Sequence, residues 1–364
     1  MGNGSLKGGM HVQLETPTYK EGEEVSGVIY MRLDEYSPSG TIYIKFKGSE
    51  KTRWQETRTR TVSDGKTTRT ETYQVHYSGS KKIVKFKFPA YTFNGEIQTG
   101  GFTLPFSFVL PGNLPGSFYY DKGSTHAKIH YKIKATFENI EKKKIKNHAE
   151  IRIIQEPKFT DDMGSRLQTT AKLRTCCCIN KGYINLKADF AKGSYTPDET
   201  AFAKVQADNS NSKLSVSRFE MNLVQTLRLR SDCGHSKVIR DNVLNTRTND
   251  GVPSGEAMLA EQSKELQLYL PMAKPQIDFR YTTMGRFVEC VYFLEVKADM
   301  EGICMCCGDT PSIESPLGIH ATKPPAPPLP QAPEDWNPQE IPAVAIQYDP
   351  SYDYAPSAPE YEGA

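Results

Sequence analysis

Six of the chain's eight cysteines fall in two tight groups, Cys176-Cys177-Cys178 and Cys304-Met305-Cys306-Cys307. Thiolates bind zinc tetrahedrally, and the Cys304-x-x-Cys307 spacing suits a chelating turn. Cys176, Cys178, Cys304 and Cys307 are therefore a candidate four-thiolate zinc site, provided the two loops meet across the 126 residues that separate them. S-acylation of surface cysteines and ordinary reduced thiols stay open as alternatives. Adjacent cysteines rarely build a disulfide scaffold, so free thiols in a reducing compartment are expected, with no cofactor other than that zinc.

Catalytic constellations are missing. The seven histidines are scattered, none in a His-Glu-x-x-His pair, and no Gly-x-Ser-x-Gly elbow or phosphate-cradling glycine loop occurs. His130 lies in an alternating strand and reads as structural. The expectation is a non-enzymatic chain.

Charge offers more. In Lys81-Lys82-Ile83-Val84-Lys85-Phe86-Lys87, strand alternation puts Lys85 and Lys87 on one face, and the four lysines are candidate contacts for anionic lipid or phosphorylated cargo. A solvated strand face is the plainer reading. A second basic run covers residues 141–146. Nucleic acid is not expected, because aromatics are not interleaved as stacking platforms and the net charge is only +2. That value hides a split: residues 324–364 hold seven acids and no Lys or Arg, leaving 36 acids against 45 bases, about +9, in residues 1–323. An acidic tail resting on a basic body is the expectation.

The tail also carries ligand motifs. Asp349-Pro350-Ser351-Tyr352 and Ala358-Pro359-Glu360-Tyr361 put Pro350, Tyr352, Pro359 and Tyr361 forward as contacts for WW-, SH3- or phosphotyrosine-binding proteins. Pro324-Pro-Ala-Pro-Pro-Leu-Pro330 favours extended polyproline, and residues 323–364 are poor in core-forming aliphatics, so they are expected to be disordered. At the other end, Met1-Gly2-Asn3-Gly4-Ser5-Leu6 approaches an N-myristoylation signal at Gly2, with Leu6 where Ser or Thr is usual.

The elements that must position these groups read as strands. Ile42, Ile44 and Phe46 alternate with Tyr43, Lys45 and Lys47, and Ile129, Tyr131, Ile133, Ala135 and Phe137 alternate with Lys and His. Asp64-Gly65 marks a hairpin between two Thr/Arg-rich strands. Pro105 inside Phe102-Thr-Leu-Pro-Phe-Ser-Phe-Val-Leu-Pro111 favours an edge or interrupted strand. The second half echoes the first. Tyr19-Lys-Glu-Gly-Glu23 matches Tyr195-Thr-Pro-Asp-Glu199, Phe106 to Pro111 matches Leu266 to Pro271, and Tyr131 to Ala135 matches Tyr292 to Val296. No apolar leader or membrane-spanning run is visible, so a cytoplasmic chain is expected.

Trp54-Gln-Glu-Thr57, the block Gly100 to Phe118 and His130-Tyr-Lys-Ile-Lys-Ala135 resemble the arrestin-domain-containing proteins, the α-arrestins. Leu104 stands where the family has a first Phe. Cys176 to Leu186 is similar to the Cys-rich opening of the family's C-terminal sandwich, and Ser315-Pro-Leu-Gly-Ile319 to its last strand. The resemblance implies an all-β chain of two tandem arrestin-like, immunoglobulin-like β-sandwiches: a flexible N-terminus 1–10, sandwiches at 11–157 and 171–322 joined by a linker at 158–170, and the tail 323–364. It also implies a non-enzymatic adaptor in membrane-protein trafficking, peripheral to the plasma membrane or endosomes, that binds the cytosolic tails of membrane cargo. Family tails recruit ubiquitin ligases through Pro-Pro-x-Tyr; here each motif carries one proline of the two, which weakens the grip of a WW groove. A structural subunit of a retromer-like endosomal coat is the other reading, in which the tail is dispensable.

Overall fold

The computed structural model describes residues 6–63, 67–155, 164–175, 178–271, 280–302 and 308–322, and the backbone of 344–345. In the first sandwich, β1 (Gly8–Leu14), β3 (Glu24–Leu33) and β6 (Gly100–Val109) form an antiparallel three-stranded sheet in that order. Opposite it runs a larger sheet: β2 (Thr18–Lys20), β9 (Lys144–Ile154), β8 (Thr125–Asn139), β4 (Gly40–Ser63) and β5 (Thr68–Phe93), with β7 (Phe118–Lys122) on β8 and β20 (Val344–Ala345) on β5. The alternation seen in the sequence decides which side chains face inward. Phe46 and Phe86 of the larger sheet meet Phe108 of the smaller at ring separations of 5.8 and 5.6 Å. Such tilted and edge-on contacts add about 0.5–1.5 kcal/mol each beyond burial.

Pro105 sits where an edge strand tolerates it. β6 has β3 as its one neighbour, and the missing N–H removes no ladder bond on a paired side. β4 and β5 run on past their neighbours: β8 accompanies β4 only to Arg53, and beyond it residues 54–63 and 68–77 form a two-stranded ribbon.

The second sandwich repeats the plan. β10 (Arg166–Thr175), which begins inside the stretch read as a linker, joins β11 (Ile179–Phe190), β13 (Thr200–Asp208) and β16 (Lys264–Tyr269) in one sheet. β12 (Ser194–Tyr195), β19 (Ser312–Ile319), β18 (Val288–Met300), β14 (Val216–Arg230) and β15 (Ser236–Arg247) form the other, with β17 (Thr283–Met284) on β18.

The internal repeat is matched in backbone detail. Tyr19 and Tyr195 are both buried, on short strands that pair in parallel with β9 and β19. Glu23 accepts the backbone N–H of Lys20 at 2.9 Å, and Glu199 that of Thr196 at 2.8 Å. Between them stand Gly22 and Asp198, both in the left-handed region at φ 77° and 71°. One turn design therefore serves both sandwiches, with Asp bearing a conformation that glycine adopts freely.

Candidate functional site

The outward face of the larger N-terminal sheet carries lysines in register. Lys87, Lys45 and Lys134 lie directly opposite one another on β5, β4 and β8, and the next row on the same face is Lys85, Lys47 and Lys132. Directly opposed residues bring their Cβ atoms to about 4.5–5.5 Å, and like charges placed so are destabilising. Two rows of three ammonium groups are thus an electrostatic cost that the interior packing of the same strands must carry.

Few carboxylates offset it. Lys132 pairs with Glu150 at 3.0 Å, and Lys87 caps the Tyr43 ring at 3.6 Å. Among the described residues, Lys45, Lys47, Lys85, Lys134 and Lys146 form no ion pair with a carboxylate. Partial burial and the ammonium groups of Lys85, Lys134, Lys47 and Lys87 hold Lys45 below the usual lysine range; burial, then Lys146 and Lys144, do the same to Lys134. A bound anion would reverse both effects.

The lysines line two open recesses. One of about 520 Å³ lies among Lys45, Lys47, Lys132, Lys134, Lys146, Asn147 and His148. The other, about 360 Å³, lies among Lys45, Lys85, Phe86 and Lys87. Lys45 borders both, so the surface is continuous across four strands.

The matching sheet of the second sandwich is built differently. There Arg228 and Arg230 pair with Glu289, Arg240 lies between Glu295 and Glu314, and Lys297 meets Glu295 at 2.9 Å. Arg218 likewise holds Asp299 at 2.8 Å. Charge on that face is largely cancelled internally, whereas the N-terminal face leaves its own open.

Of the lysines singled out in the sequence, Lys85 and Lys87 belong to this face. Lys81 and Lys82 lie past a register shift between Gly48 and Ser49, opposite Glu50 and Ser49 respectively, and line neither recess. Sequence reading missed Lys45, Lys47, Lys132 and Lys134. The available signal was two more Lys-x-Lys pairs at period two, Lys45-Phe-Lys47 and Lys132-Ile-Lys134, each by itself an ordinary solvated strand.

His130 stands with both ring nitrogens 3.3 Å from the Ser49 hydroxyl. Cys178 is an exposed thiol. Cys176, Cys304 and Cys307 lie outside the described residues, as do Gly2, Pro350, Tyr352, Pro359 and Tyr361. The chain flanking the two cysteine groups is described, and it converges. Asp309 N–H donates to Lys172 O at 2.9 Å, Glu301 N–H to Ser215 O at 2.9 Å, and Lys213 N–H to Lys181 O at 2.9 Å. Among the described residues no three metal-ligating side chains cluster, and no helix is long and apolar enough to cross a membrane.

Comparison with known proteins agrees with this architecture. The arrestin (or S-antigen) N-terminal domain matches residues 10–159, and the arrestin C-terminal domain residues 180–324. Arrestin domain-containing protein A of Dictyostelium discoideum is 28% identical over 332 residues, which cover 89% of this chain and 54% of that protein. The chain therefore spans about half the length of that curated relative. With both arrestin domains matched in order on tandem sandwiches whose strands follow the internal repeat, the chain belongs to the arrestin-domain-containing family.

Proposed function

We propose that this chain is a trafficking adaptor that holds an acidic stretch of a membrane protein's cytosolic segment on the lysine face, while its tail engages a second protein. The observation that carries the reading is the pair of lysine rows, Lys87-Lys45-Lys134 and Lys85-Lys47-Lys132, crossing β5, β4 and β8 with few carboxylates to neutralise them. A sheet face of this kind suits an extended acidic ligand, whose carboxylates or phosphates recur at a spacing comparable to the strand repeat. The arrestin domains support an adaptor role in general terms. For the second contact, Pro350-Ser351-Tyr352 and Pro359-Glu360-Tyr361 are short proline–tyrosine ligands on an acidic tether.

Binding of a labelled oligoglutamate peptide to the full chain tests the first contact. K45E/K134E is expected to weaken it by ~10-fold or more, about the loss of one charge-assisted contact. Salt is expected to weaken binding to the parent chain steadily, as the screening length falls from about 10 Å at 0.1 M to 3 Å at 1 M. Equal affinity for parent and variant would remove the lysine face from the function.

A further inference from the structure

Lys45 is the central ammonium of the lysine face. On β4 it lies between Lys87 of β5 and Lys134 of β8, and Lys47 and Lys85 stand in the next row, about 7 Å along the strands. It is half-buried, whereas Lys47, Lys85 and Lys87 are exposed. Two of its neighbours are engaged elsewhere: Lys132 holds Glu150 and Lys87 caps the Tyr43 ring. Lys45 has no carboxylate partner among the described residues, and it lines both recesses.

An amine partly withdrawn from water and crowded by other ammonium groups gives up its proton more readily than an ordinary lysine, and burial first, then those neighbours, act on Lys45 in that direction. The free amine is the nucleophile, and a lysine beside other cations is a recurrent way of producing one near neutral pH. The same ammonium groups attract phosphate. An acyl-coenzyme A joins a reactive thioester to a diphosphate and a ribose phosphate through a flexible arm. From Lys146 on β9 to Lys87 on β5 the face crosses four strands, roughly 14 Å. The phosphates and the thioester of one donor therefore need not compete for the same lysine.

We propose that Lys45 is an acyl-acceptor site, and that its donor is an acyl-coenzyme A whose phosphates are held by the surrounding lysines. The Lys45 Nζ lone pair adds to the thioester carbonyl carbon, the C–S bond breaks, and the coenzyme A thiolate leaves, taking up the proton that the new amide nitrogen sheds. The acylated side chain carries no charge, so the step removes the central charge of the face and with it a contact for an acidic ligand. The inference rests on the lysine face as an anion-binding surface, as the proposed function does, but it needs no peptide ligand. Rows of lysines also keep a sheet face soluble; that role alone gives Lys45 no kinetic lead over other lysines.

Incubating the full chain with acetyl-coenzyme A at low salt, and following each lysine by peptide mass spectrometry, separates these cases. Lys45 is expected to be acetylated ~10-fold faster than Lys204, an exposed lysine on β13 of the second sandwich. The lead is expected to shrink with N-acetoxysuccinimide, a neutral donor without phosphate. K47Q/K85Q keeps Lys45 but removes two exposed ammonium groups beside it, and is expected to slow its acetylation by acetyl-coenzyme A ~5-fold while Lys204 keeps its rate. An unchanged melting temperature shows that this variant is folded. Lys45 reacting no faster than Lys204 overturns the proposal, and so does a lead that is as large with the neutral donor, or a rate that K47Q/K85Q leaves unaltered. Fast acetylation of Lys45 in a chain that does not bind oligoglutamate would uphold the acyl site and sink the peptide-binding reading; oligoglutamate binding with a slow Lys45 would do the reverse.

Discussion

The Glu50 carboxylate on β4 of the first sandwich accepts the backbone N–H of Val288 on β18 of the second at 2.6 Å. It also accepts those of Phe287 at 2.8 Å and Arg286 at 3.2 Å. The side chain is 1% exposed, so one buried carboxylate seated on three amides joins the two halves of the molecule. Burial raises its pKa, and the three amides and Lys81 offset part of that rise. E50A leaves the amides buried without an acceptor and is expected to destabilise by about 2–4 kcal/mol; E50Q keeps one acceptor oxygen and is expected to lose less.

The same carboxylate predicts a pH dependence. Its pKa is higher folded than unfolded, so the native state holds the proton more firmly. Its stability contribution is therefore full below the unfolded value and is lost as pH rises through the folded one. Thermal melts from neutral pH down to about 4.5 are expected to show the parent gaining on E50Q. Parallel curves would mean that Glu50 titrates normally.

Neither Glu50 nor the lysine rows could be read from the sequence, and the reason is distance along the chain. The amides that seat Glu50 lie 236 to 238 residues away, and Gly48-Ser49-Glu50-Lys51 carries no local mark of burial. Lys45 and Lys134 acquire meaning only through a register between strands whose order in the sheet is not their order in sequence. What was legible was local. Alternation gave the strands, Pro105 narrowed its strand to an edge or an interrupted one, and the Tyr19 to Glu23 motif with its copy at Tyr195 to Glu199 gave the repeat, because each is written within a few residues.

Repulsion across the lysine rows is testable without any ligand. K45Q removes the ammonium that faces Lys87 and Lys134 but keeps much of the stem that covers the sheet. It is expected to raise stability by about 0.2–1 kcal/mol at low salt, with the gain shrinking as salt screens the parent. A loss of stability that ignores salt would show that Lys45 is held by packing and not opposed by its neighbours.

His235, on the turn between β14 and β15, stacks on Tyr77 of the N-terminal ribbon with centroids 4.5 Å apart and planes within 6°, and Trp54 backs Tyr77 at 5.3 Å. The Arg58 guanidinium reaches His235 Nε2 at 2.7 Å. This contact and the Glu50 seat are separate points of attachment between the sandwiches. H235A is expected to cost about 1 kcal/mol and to shift the fluorescence of Trp54, while H235F keeps the stack and most of the stability. Equal loss in both variants would place the energy in the Arg58 contact instead.

The cysteine groups lead to a metal measurement. Asp309 bonds to Lys172 four residues before Cys176, and Glu301 bonds to Ser215 beside the segment that Lys213 ties to Lys181, three residues past Cys178. The chain after Cys307 is therefore fastened to the strand that leads into Cys176, and the chain before Cys304 to a segment that is itself tied to the strand leading out of Cys178. Four thiolates drawn from two such loops satisfy zinc, whose binding would then add to folding stability. The purified chain is expected to carry about one zinc, reduced in C178S, and to melt at a lower temperature with chelator present. A metal-free chain whose six thiols all react at once with a thiol reagent would show that these cysteines stand alone.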